Sequence, residues 1–180
     1  MKKFEFSIVA SGLDPQADDF EARFFEAGCD DATVSFQKGH TIIDFTREAE
    51  SLDAAISSAV QAVRQAGAKV DRVEPDPLVS LSEISLRTGL TRGAMTHYHK
   101  GNRAKDFPAP VARVTSGSPL WDWAEVARWM FENRKVEKQV AIEAEIVKCA
   151  NEAIDLGTTD LSGALQQRAK EYAAELATAA

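Results

Sequence analysis

The 180-residue chain predicts an α+β protein in three parts, and three observations carry that prediction. Residues 1–74 switch between two-residue and helical apolar periods in the order βαββαβ. The middle, residues 78–131, holds two short helical patterns about a glycine turn, followed by a hairpin pattern and a third helix. Residues 132–180 return to long helical stripes. Glu74-Pro75-Asp76-Pro77 is the expected connector between the first two parts, since two prolines in four residues disfavour helix and stiffen the chain.

In the first part, Lys3 to Ala10 sets Phe4, Phe6, Ile8 and Ala10 against Lys3, Glu5 and Ser7, the alternation of a half-buried strand. Gly12-Leu13-Asp14-Pro15 breaks it. Asp18 to Ala27 spaces Phe20, Phe24 and Ala27 helically, and Gly28 is the stop. Ala32–Phe36 and His40–Phe45 read as strands about a Lys38-Gly39 hairpin turn. Ser51 is the cap of a helix striped by Leu52, Ala55, Ile56, Ala59, Val63 and Ala66. Gly67 ends that helix, and Lys69–Val73 is the fourth strand. Two layers in this order make a ferredoxin-like, split βαβ domain. Phe4, Phe6, Phe36 and Phe45 are expected to face the covering helices rather than to stack on bases, because the segment is acidic. Dimerisation or ligand sensing is the expected role. The Gly12–Pro15 loop is the candidate mouth for a ligand, although no residue constellation there supports one.

In the middle part, Ser82 is the expected cap of a first short helix that turns Ile84 inward among Glu83, Ser85 and Arg87. Gly89 sits where the chain must turn, and Leu90 plugs the angle. Thr91 caps a second helix with Ala94, Met95 and Tyr98 inward. Thr91, Arg92, Thr96, His97 and Lys100 then point outward. This is helix-turn-helix spacing, and the outward side chains suit phosphates and base edges in a major groove. A basic loop with Arg103 and Lys105 follows. Val111–Val114 and Leu120–Trp121 are expected strands about the Thr115–Ser118 turn, which places Arg113 and Ser116 on a wing suited to phosphate or minor-groove contact. Asp122 caps the next helix, and Trp121, Trp123 and Trp129 are expected in the core.

Three segments agree in order with a known group. EISLRTGLTRGAMTHY, FPAPVARV before the wing turn and WDWAEVARWM after it resemble the small phage and bacterial DNA-binding proteins of the AlpA/excisionase type, themselves related to the MerR-type winged helix. The resemblance covers residues 78–131, with Ser85 standing where many such motifs carry Ala. It implies a winged helix-turn-helix that binds double-stranded DNA, either as a sequence-specific transcriptional regulator or as an excisionase-like protein that bends DNA.

Charge is distributed to suit that expectation. The net charge is −7, yet residues 78–120 hold Arg87, Arg92, Lys100, Arg103, Lys105 and Arg113 against only Glu83 and Asp106. A basic patch between acidic flanks is the local footprint that matters for phosphates, while the flanks weaken non-specific binding. No apolar run approaches a membrane span and no leader is evident, so a cytoplasmic protein is expected. Cys29 and Cys149 stand far apart without metal spacing. His97 and His99, two apart on a helix, point in different directions. With no phosphate loop and no nucleophile–base pair, neither enzyme chemistry, a metal nor a cofactor is expected.

The final part places Val136, Val140, Val147 and Ile154 on one stripe, with Ile142 and Ile146 at its edge. After a break at Asp155–Thr159, Asp160 or Ser162 caps a second helix striped by Leu165, Ala169, Tyr172 and Leu176. Such a hairpin must bury its stripes, and a second copy of the chain or a protein partner is the expected cover. A homo-oligomer is therefore expected, and an antitoxin-type interaction protein is the alternative from another functional class.

Overall fold

The computed structural model describes residues 1–101 and 106–179. Those residues form a mixed α+β structure with seven helices, a four-stranded antiparallel sheet and a two-stranded sheet. They divide into two units, Met1–Pro75 with Ile146–Glu171 and Asp76–Glu145 with Tyr172–Ala180. The helical stretch 132–180, set apart by its sequence pattern, is thus shared between both.

The first unit contains β1 (Lys2–Ser11), α1 (Phe20–Glu26), β2 (Ala32–Gln37), β3 (His40–Ala49), α2 (Leu52–Gln65) and β4 (Lys69–Glu74). The strand order is β2-β3-β1-β4, with every neighbour antiparallel. Register sets Phe6 opposite Phe45 and Ile8 opposite Ile43, so these four share one face. All four are buried, as are Ile56, Ala59 and Val63 of α2, and the Phe6 and Phe45 rings stack at 5.4 Å. Phe36 lies on the same face but is 49% exposed, because β2 is the last strand of the sheet. Its expected place in the core is corrected accordingly. Lys38 and Gly39 both have positive φ, 52° and 83°, which closes the β2–β3 hairpin with a two-residue turn.

Two polar devices complete this unit. Arg47, buried on β3, grips both carboxylate oxygens of Asp31 at 2.8 Å and donates to the Gly28 carbonyl at 2.6 Å and to Ser58 at 3.2 Å. Every arm of its guanidinium is therefore used, as a buried charge requires. Asn151 of α6 (Lys138–Asp155) accepts from the Val73 N–H at 2.8 Å and donates to the Val73 carbonyl at 3.0 Å. That amide closes the outer edge of β4 near its C-terminal end. Ile146, Val147 and Ala150 of α6 are buried, as are Leu161 and Leu165 of α7 (Leu161–Ala179). Asp160 rather than Ser162 caps α7, accepting from the Gly163 N–H at 2.8 Å.

The second unit contains β5 (Leu78–Val79), α3 (Leu81–Thr88), α4 (Arg92–His99), β6 (Trp121–Asp122) and α5 (Trp123–Glu132). The N-terminal part of α6 and the end of α7 belong to it as well. Val79, Ile84, Met95, Trp121, Val126 and Met130 are fully buried in one cluster, with Trp123 and Trp129 almost so. Ala141, Ala144, Tyr172 and Leu176 join the same cluster. Much of the C-terminal apolar surface is therefore covered inside the chain, which removes the reason for assigning those stripes to a second copy.

Two expectations need correction here. Ser80, not Ser82, caps α3: its hydroxyl accepts from the Glu83 N–H while the Glu83 carboxylate accepts from the Ser80 N–H, a reciprocal box. Val111–Val114 is not a strand either. Ala112 and Leu120 make a single bridge, and Trp121–Asp122 pairs with Leu78–Val79 ahead of α3. Pro110 and Pro119 flank that bridge and have no N–H to extend it, and Arg113 turns to φ 52° directly after it. Val79 and Trp121, both buried, are the pair that the actual register brings together.

Candidate nucleic-acid interface

The candidate surface is built on α4, and the turn ahead of it fixes how α4 departs from α3. Gly89 adopts φ 70°, a left-handed conformation that costs glycine little and ends α3. The Thr88 hydroxyl donates to the Ile84 carbonyl at 2.7 Å and accepts from the Leu90 N–H at 3.3 Å. Ser85 donates to the Leu90 carbonyl. An alanine at position 85 could not make that bond, so Ser85 adds a tie across the turn. Leu90 packs against the cluster that contains Ile84 and Met95.

Thr91 then caps α4, accepting from the Ala94 N–H at 3.2 Å through its side chain and from the Met95 N–H at 3.2 Å through its carbonyl. Met95 is fully buried and Tyr98 nearly so, with the Tyr98 ring 5.4 Å from that of Trp129. The inward face being fixed, Thr91, Arg92, His97 and Lys100 are exposed along the rest of the helix. Thr96 is half-buried and donates to the Arg92 carbonyl at 3.0 Å, which occupies its hydroxyl hydrogen. His99 is turned aside, its ring edge-on to Trp121 at 5.1 Å.

Arg113 and Ser116 share the exposed turn between Ala112 and Leu120, where Ser116 donates to the Arg113 carbonyl at 2.9 Å and accepts from the Ser118 N–H at 3.1 Å. Arg103 and Lys105 lie outside the described residues. Arg87, counted in the basic patch, serves the fold instead. Its guanidinium donates to the Asp76 carbonyl at 2.9 Å and lies 5.3 Å from the Trp123 ring centre. Burial pulls its pKa down, against the opposing pull of Glu83 and Asp76.

Two features escape a reading of spacing alone. Gly93 follows Arg92 in the first turn of α4, and a side chain there would meet nothing closer than the Thr91 hydroxyl at 3.9 Å. Thr91 takes the Ala94 N–H, while the Arg92 and Gly93 amides precede the first intrahelical bond, and no acidic residue sits in that turn, so a phosphate oxygen can approach those two. Lys135, from the acidic C-terminal third, brings its ammonium to 6.0 Å from the Tyr98 ring centre while the residue stays exposed. Only the chain reversal after α5 puts that cation beside α4.

Among the described residues, no group of three or more His, Cys, Asp or Glu side chains is arranged to hold a metal ion. No described helix is long and apolar enough to cross a membrane. Comparison of the chain with protein-family models, with curated proteins and with solved structures gave no match.

Proposed function

We propose that the chain is a sequence-specific DNA-binding protein, a transcriptional regulator acting as a dimer or higher oligomer, that lays α4 in the major groove. The observation that carries this reading is the outer side of α4. Arg92, His97 and Lys100 stand exposed on a helix whose opposite side is locked by Met95 and Tyr98, behind a glycine turn tied by Ser85 and Thr88. Arg92 and His97 are the base readers in this reading, with Lys100, Arg103, Lys105 and Arg113 on phosphates and Thr91, Thr96 and Ser116 adding polar contacts.

The finer architecture is part of the same proposal. The order β2-β3-β1-β4 supports a ferredoxin-like arrangement of the N-terminal strands. The sequence α3, turn, α4, bridged loop and α5 supports a winged helix-turn-helix with a minimal wing. A unit this small offers few contacts, so adequate affinity calls for two copies on repeated half-sites.

One observation favours a second reading, in which the protein bends its site. Val114 is 62% exposed beside Arg113 on the wing turn, and an apolar side chain next to a cation suits a kinked minor groove. Selection from random-sequence duplexes with the full chain tests both. Enrichment of a repeated half-site, lost with Arg92→Ala, is the expected result. Absence of enrichment together with accelerated cyclisation of short duplexes would transfer the assignment to bending.

A further inference from the structure

Among the described residues, the fold leaves the outer edge of β2 open. β4, the other end of the sheet, is closed by the Asn151 amide on both polar groups of Val73 and carries Lys69, Asp71, Arg72 and Glu74. Among the described residues, β2 has no such protection. Its six residues, Ala32-Thr33-Val34-Ser35-Phe36-Gln37, include no charge and no proline, and its register against β3 runs without a bulge. Natural edge strands that must stay single are blunted by those devices.

The hairpin register shows which groups face outward. Gln37 opposite His40 closes the two-residue turn, and bonded and non-bonded pairs alternate along an antiparallel ladder. Gln37, Ser35 and Thr33 therefore spend their N–H and C=O groups on β3. The Asp31 carbonyl, accepting from Thr46 at 3.0 Å, continues that odd-numbered series. Val34 and Phe36 turn theirs to the open side. The Ala32 N–H is already taken by the Cys29 carbonyl at 3.1 Å, which limits the open run to Val34, Phe36 and the Ala32 carbonyl.

We propose that this edge pairs antiparallel with the β2 edge of a second copy, centred on Val34, to join two sheets into one of eight strands. The occupant follows from self-complementarity. A two-fold axis at Val34 sets Phe36 across from the partner's Ala32, a large side chain against a small one. Just past the strand ends it brings Lys38 of the hairpin turn toward the partner's Asp30 in the turn before β2, and both residues are exposed in a single chain. The two charge pairs oppose unlike signs, and the neutral strand brings no like charges together. This pairing names the assembling surface for the paired DNA-binding protein proposed above. It rests on that reading for its purpose, not for its geometry.

The test is the mass of the full chain in solution without DNA, by sedimentation equilibrium. A species near twice 19.6 kDa is expected at micromolar concentration. Val34→Pro removes the central outward N–H while leaving the β3 ladder intact, and should give a monomer with an unchanged circular dichroism spectrum. Asp30→Lys or Lys38→Asp alone should weaken the dimer by roughly 3- to 10-fold, and the two together should restore it. Rescue in the double variant decides the matter even if Val34→Pro does not fold. A monomeric wild type, or a dimer indifferent to all of these changes, overturns the proposal. A dimer that obeys them yet selects no DNA sequence would leave the edge pairing standing and remove the DNA-binding reading.

Discussion

Arg92 is the residue on which the functional proposal is most exposed to test. If it reads a base, Arg92→Ala should cost about 1–3 kcal/mol on the selected site and far less on unrelated duplexes. Lys100→Ala and Arg113→Ala should instead weaken all sequences alike and reduce the dependence on salt by about one counterion each. Cys29 offers a test of the fold. Burial, opposed by nearby Arg47, pushes its thiol up to about 11 from 9.0. The folded state thus holds the proton after the unfolded chain has lost it, so this group's contribution falls as pH rises from about 9 toward 11. Alkylation of Cys29 at pH 8, measured in a Cys149→Ser background, should be more than about tenfold slower in the native protein than in urea. Equal rates would mean that the α1–β2 connection opens freely. Arg47→Met should cost about 3 kcal/mol in chemical denaturation, since Asp31 and the Gly28 carbonyl lose a shared partner.

At the scale of elements, the caps carry separable predictions. Ser80→Ala should lower stability by about 1 kcal/mol, and Ser82→Ala should change little. The Glu83 carboxyl is held below its ordinary range, chiefly by the Ser80 N–H that it accepts. Its contribution is therefore present above the unfolded carboxyl's pKa and fades as pH falls through the folded value. The stability difference between wild type and Glu83→Gln should narrow in acid, and a constant difference would exclude the box. Most caps and turns are legible in the sequence. Thr91 and Asp122 each present an oxygen to an amide two or three residues ahead, and Lys38-Gly39 and Gly89 turn where positive φ is needed. Ser80 and Ser82 border the same apolar pattern, and only the reciprocal box with Glu83 separates them. The stretch from Val111 to Asp122 is less legible. Valines at 111 and 114 raise strand propensity, but nothing local shows that Trp121 will pair with Val79 from the far side of α3 and α4.

For the whole molecule, the C-terminal helices are the decisive matter. Tyr172 and Leu176 lie in the same cluster as Trp121 and Met130, so residues 78–131 alone lack part of their own core. That fragment should melt at markedly lower temperature than the full chain, and ending the chain at residue 159 should destabilise the tryptophan cluster, as read by its fluorescence. An unchanged melting curve would show that the C-terminal helices are dispensable to that core. Local pattern along the chain is enough to specify the α+β class, most of the helices, the four N-terminal strands, the glycine turn between α3 and α4, and the outward placement of Arg92, His97 and Lys100. Those features are written in apolar periods, caps and turn residues that act within one or two turns of chain. Tertiary structure alone decided that Arg87 serves the fold, that Phe36 stands half open at an edge, that Asn151 closes β4 and that the C-terminal stripes are covered in cis. Each of those outcomes depends on which distant surface arrives opposite a residue, and a pattern along the chain records that a face must be covered without recording by what.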